Sequence, residues 1–343
     1  MGAVCSGRRA ARQGVRLVLL GVVGLSHAEP FAYITNQKAN TVSVIDTAIG
    51  KVVKTVVVGA EPAGVAVSRD GSKVCVSNPG SKTITVLDGV RNEVIGHLAL
   101  GEGPLGIAVD PSGSRAYVAD WYDHHLSVVD LDEMKSVKQV PVGRSPAGVA
   151  VSSDGSVVFV ANRDDDSVSS IDARSLEIIK SVKVGKHPFG ISLNAADDRL
   201  YVANVESNDV SIVDSRNMTV LQTIPVGDRP YATALAAGEK RLFVTNQYDN
   251  TISAIDTEQG KVIATVPVGE YPEGIAASHD GKRVYVANWF SNNVSVVDAG
   301  TLKLEGAIPT GDGSRAFGAF IAGASPMNMG NVPGLDAGRV RSQ

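Results

Sequence analysis

Between residues 209 and 214 apolar side chains recur at alternate positions, Val210 and Ile212 around Ser211, with an acid at each end. A period of two marks a strand with one buried face. Residues 188–193, 199–203 and 220–226 carry the same β-branched, extended character. No segment shows a convincing helical period. Residues 185–227 therefore predict four short antiparallel strands joined by turns. The unit repeats. The word Tyr201-Val202-Ala203-Asn204 has counterparts starting at 33, 75, 117, 159, 243 and 285, a constant step of 42. Seven such units predict an all-β, seven-bladed β-propeller of four-stranded antiparallel blades.

The polar positions between the strands repeat too. Asp70-Gly71, Asp154-Gly155 and Asp280-Gly281 mark hairpins between first and second strands. An Asp closes every third strand: Asp46, Asp88, Asp130, Asp172, Asp214, Asp256 and Asp298. Seven equivalent carboxylates lie around a ring rather than together, so each is expected to accept a turn N–H and not a metal. The chain enters the repeat at Phe31 in a second-type strand. The missing first-type strand is expected at 316–321, a three-plus-one closure that removes the free edges.

The ends differ from the repeat. Arg8, Arg9, Arg12 and Arg16 precede the apolar run 17–25 and a small-residue site at Ser26-His27-Ala28. This pattern predicts a secretory signal peptide over 1–28, a propeller over 29–322 and a flexible tail over 323–343. Export to a bacterial periplasm or the extracellular space follows, with no membrane span in the mature chain. Removing the leader leaves 28 basic against 36 acidic residues, a net charge of −8, which excludes a global polyanion-binding field. Cys5 leaves with the leader, and Cys75 stands where other repeats place Tyr or Phe, so a buried inert thiol and no disulfide are expected.

The repeated word, the strand after it and the Val-Gly-x-x-Pro-x-Gly link resemble the YVTN family of β-propeller repeats over residues 31–322. These are scaffold motifs, so the resemblance implies the fold and an exported protein more than an activity. Relatives it brings in include surface-layer proteins, a periplasmic single-stranded-DNA binder, lactonases and the haem d1 domain of nitrite reductase.

Function is sought where the repeats differ. Of 17 aromatic residues, six fill the scaffold word and three, Phe31, Phe317 and Phe320, fall at the closure. The other eight are Trp121, Tyr122, Phe189, Tyr231, Tyr248, Tyr271, Trp289 and Phe290. All eight belong to loops after second and fourth strands, which emerge on one face of the disc, called here the first face. Arg144, Arg163 and Arg229 join them, with Lys186, His124, His125 and His187. An aromatic surface with interleaved cations predicts an exported, monomeric, non-enzymatic binding module for a protein or small-molecule partner, with single-stranded nucleic acid a weaker candidate. No catalytic residue, metal ligand or cofactor is assigned. The alternative is a lactonase-like metal-dependent hydrolase or a haem d1-like cofactor propeller using the central funnel of that face, with Glu273 and Asp120 as contributing acids.

Overall fold

The computed structural model describes residues 1–2 and 31–321. The leader expected over 1–28 lies, apart from residues 1–2, outside the described residues, as does the tail from 323. The described chain forms seven radial sheets. Blade five shows the plan: Pro188–Leu193 is innermost, followed by Arg199–Asn204, Asp209–Asp214 and Thr219–Pro225, all antiparallel. Among the described residues there is no α-helix, only the two short 3-10 turns Pro79–Ser81 and Arg163–Asp165. No helix among them is long and apolar enough to cross a membrane.

Closure occurs in blade one, as the pattern predicts. That blade has three laddered strands, Phe31–Asn36, Thr41–Asp46 and Lys51–Val57. The C-terminal segment fills the inner place through isolated bridges, Ala32 to Ile321 and Asn36 to Ser314. It binds both neighbours: Tyr33 N–H donates to the Phe320 carbonyl at 2.9 Å, and Val65 N–H to the Phe317 carbonyl at 3.1 Å. Left-handed backbone at Ala316 and Gly318, φ 79° and 116°, keeps it from running as a regular strand.

Each blade is locked to the previous one by its terminal Asn. The buried amide of Asn204 donates to Ser211 at 2.9 Å, and Asn36, Asn78, Asn162, Asn246 and Asn288 do the same to Ser or Thr seven residues on. The glycine ending the preceding outer strand touches this Asn. A Cβ on Gly185 would lie 2.6 Å from Asn204 Nδ2. Blade three departs, since Asp120 has no amide to donate. Its carboxylate accepts the Gly103 N–H at 3.1 Å, and His125 takes up Ser127 at 3.0 Å. The seven third-strand aspartates each accept the N–H groups two and three residues on, as in Asp214 with Arg216 and Asn217 at 3.0 and 2.8 Å. Cys75 is buried and free, its thiol pushed up to about 12 by burial.

Inner strands approach closely at the axis. A Cβ on Gly148 would sit 2.2 Å from the Phe189 carbonyl oxygen, and one on Gly106 1.7 Å from that of Ala147. Gly148→Ala is therefore expected to cost about 1–3 kcal/mol by overpacking, seen as a lower denaturant midpoint at unchanged slope. An unchanged midpoint would rule out so close an approach. Asp154 makes a second expectation. The Ser152 hydroxyl, with the Ser156 N–H and hydroxyl, holds its carboxyl at about 2. A depressed folded value contributes stability above the unfolded range, and that stability is lost as pH falls through the folded value. Melting temperature should therefore fall between about pH 4 and pH 2, and Asp154→Asn should flatten that slope.

Candidate functional site

One position of each repeat, ahead of a glycine in five of the seven, ends up beside the axis. At the constant step these are Ala63, Leu105, Ala147, Phe189, Tyr231, Glu273 and Arg315. The first five cluster together with Trp121 and Phe317. Phe189 stacks on Tyr231 with ring centroids 3.9 Å apart, and Phe317 meets both edge-on at 5.5 and 6.1 Å. These rings plug the axis. Phe189 and Tyr231 were expected as exposed anchors; they are 4% and 9% exposed, because the inner strands hold them against each other rather than toward solvent.

The remaining two positions of the ring carry charge. Arg315 Nε donates to the Glu273 carboxylate, and its Nη2 contacts the Tyr231 hydroxyl at 3.3 Å. Gln247 Nε2 donates to the other Glu273 oxygen at 3.2 Å. Glu273 is 3% exposed and the Arg315 side chain 15%. Burial raises the Glu273 carboxyl above its ordinary range, against the pull of Arg315. Burial likewise raises the Tyr231 phenol, with Glu273 adding to the effect. Arg315 also lies over the rings of Trp289 and Phe317 at 5.7 and 5.6 Å, which favours a guanidinium there.

The loop residues form a collar around this core. Trp121 is half-buried, 6.1 Å from Phe189, with Arg163 over its ring at 5.4 Å. Trp289 stacks on Phe290 at 4.7 Å, and Tyr271 lies between them and Tyr248. Tyr122, Tyr248 and Phe290 are exposed. The expected cationic partners already have counter-ions. Arg144 meets Asp165 at 2.7 Å, Arg163 meets Asp164 at 2.5 Å, and Arg229 meets Glu206 and lies over Tyr248. The histidines separate: His124 Nδ1 accepts the Ser145 N–H at 3.1 Å, while His125 turns into its blade. His187 sits at the mouth with Nδ1 buried and without a hydrogen-bond partner, 3.6 Å from Glu206.

Sequence reasoning had named Glu273 but not its setting, and it missed Arg315, Gln247 and the axial place of Phe317. The available signal was the step of 42, which puts Arg315 in register with Glu273 although Ser314 and Ala316 replace the flanking Pro and Gly.

Against this geometry stand the likenesses to known proteins. Residues 91–226 match the family model described as lactonase, 7-bladed beta-propeller, and residues 202–316 that of the cytochrome D1 heme domain. No curated protein matches in sequence. Among solved structures, hydrazine synthase of Kuenenia stuttgartiensis is similar at 23% identity and TM-score 0.71, over 79% of this chain and 92% of that one. A functionally unknown protein of Desulfotomaculum acetoxidans DSM 771 has 14% identity and TM-score 0.73, over 84% and 99%. Dihydro-heme d1 dehydrogenase NirN in complex with DHE has 14% identity and TM-score 0.63, over 82% and 73%. At these identities the structures establish the fold. The two family matches overturn the expectation of a non-enzymatic binding module, and they favour the alternative, a lactonase-like or haem d1-like propeller. The physical basis of that error is the surface: its rings pack on one another and its cations are paired, while the polar chemistry lies beneath.

Removing one partner of a buried ion pair leaves the other charge stranded. Glu273→Met is expected to cost about 3–5 kcal/mol in urea denaturation, and Glu273→Met with Arg315→Met to recover most of it. A neutral single substitution would mean that the pair is solvated.

Proposed function

We propose that this chain is a hydrolase of the lactonase type, opening a small cyclic ester at the first-face end of its axis. The observation that carries the reading is the buried Glu273–Arg315 pair with Tyr231 and Gln247. The scaffold does not require it, since Ala63 and Ala147 fill equivalent places. A desolvated carboxylate with a raised proton affinity suits a general base, and a guanidinium beside a phenol suits an oxyanion. Glu273 takes a proton from water as the water oxygen adds to the ester carbonyl carbon. Arg315 and the Tyr231 hydroxyl hold the resulting oxyanion. Its collapse breaks the ring C–O bond, and the departing alkoxide takes the proton back from Glu273.

A metal does not fit this site: no group of three His, Cys, Asp or Glu side chains able to hold one occurs among the described residues. The lactonase match supports the class of reaction, although Glu273 and Arg315 lie beyond its residues 91–226. The YVTN-type repeat and the leader pattern of residues 1–28 add that the enzyme is exported.

One observation favours a second reading, a haem d1-like cofactor. The Nδ1 of His187, buried without a hydrogen bond and 3.6 Å from Glu206, is a nitrogen donor at the first-face mouth. There Arg163 and Arg229 would have to exchange Asp164 and Glu206 for the carboxylates of such a group, which would supply redox chemistry.

Acid release from five- and six-membered lactones tests the first reading. Turnover is expected, with an acid limb above the ordinary glutamate range. Glu273→Gln should lower kcat at least about 100-fold with the fold retained by circular dichroism. No turnover above buffer, or an unchanged rate in Glu273→Gln, would falsify it. A haemin Soret shift lost in His187→Ala would support the second reading instead.

A further inference from the structure

Behind the aromatic plug the axis reopens. A cavity of about 470 Å³ lies between the inner strands toward the second face, where first-to-second-strand hairpins emerge. This is the size of a small-molecule site. Phe189 and Phe317 contribute to its lining and also to the plug. Its lining side chains are largely aliphatic, among them Val109, Val151, Leu193, Ala277, Ala319 and Ile321, while polar atoms make up nearly half of the exposed wall. The lining hydroxyls of Ser192 and Thr233 hydrogen-bond each other at 2.8 Å, so they add little polarity. One charged side chain lines the cavity, Glu239. Its Oε1 is anchored by the Ala195 N–H at 2.6 Å.

The charge around the opening has the same sign. The six described hairpins, residues 68–72, 110–114, 152–156, 194–198, 236–240 and 278–282, hold seven acids against Arg69, Lys240 and Lys282, while of the bases that follow them Lys73, Arg115, Arg241 and Arg283 reach outward to Asp132, Ala173, Ala299 and Glu305. A negative rim over low-dielectric walls draws cations to the opening. An aliphatic interior takes an apolar body and releases its hydration water.

We infer that this second-face cavity is a binding site for a small amphiphilic cation, its apolar body in the channel and its ammonium at Glu239. The site lies on the other side of the plug from Glu273, so it stands whether or not the hydrolase reading does. A ligand there would press on Phe189 and Phe317. Phe189 stacks on Tyr231, whose hydroxyl meets Arg315, so occupancy is felt on the first face. Trp121, 6.1 Å from Phe189, gives the optical report.

The test titrates the full chain with n-octylammonium, n-octanol and n-octanoate at neutral pH below their micelle limits. Calorimetry and tryptophan fluorescence are recorded together. Octylammonium should bind saturably at one site, about tenfold or more tighter than octanoate. Ala319 is exposed at the cavity, so Ala319→Trp has room to fold and should abolish binding by filling it. Glu239→Gln, on a half-buried hairpin, should bring octylammonium close to octanol. Octanoate binding as tightly as octylammonium, no saturable binding of octylammonium, or unchanged binding in folded Ala319→Trp would each overturn the assignment.

Discussion

Crowding at the axis is the constraint on which the rest of the molecule depends. Six inner strands and the closing segment converge until neighbouring backbones nearly touch, and at Gly64, Gly106, Gly148, Gly190 and Gly274 a Cβ would overlap a carbonyl of the next inner segment. The glycine makes closure sterically feasible. The residue before it, and its counterparts Tyr231 and Arg315 ahead of Ala232 and Ala316, is the side chain offered to the axis, so seven positions decide what the centre of the disc contains.

Those positions divide the molecule's axis by chemistry. Alanine, leucine and the stacked rings of Phe189 and Tyr231 form an apolar plug. Glu273 and Arg315 place a buried charge pair against one side of it. Low dielectric makes such a pair costly to form and costly to break, and it strengthens any charge that develops beside it. Beyond the plug the same strands enclose an aliphatic cavity with a single acid. A closed ring thus carries two chemically distinct ends.

The collar of loops shows why exposed-looking residue types mislead. Tyrosine, tryptophan and arginine in loops resemble a recognition surface. Here Trp121, Tyr271 and Trp289 lean on neighbouring rings, and the arginines carry acids as partners. Loops adjacent around a ring satisfy one another, a contact that no reading of a single repeat contains.

The sequence by itself determined the scaffold: blade number, strand order, turn aspartates and the place of closure. Each is a local interaction copied at a step of 42, so periodicity exposes it. Tertiary structure alone decided the site. Tyr231 and Gln247 come from blade six, Glu273 from blade seven and Arg315 from the closing segment, and they meet because closure brings the ends of the blades to one axis. It alone also decided that Phe317, from the closing segment, stands among the axial rings while Phe320 enters the core beside Tyr33. The reason is physical: periodicity encodes what neighbours along the chain do to one another, whereas the axis is made of residues that meet only after the circle closes.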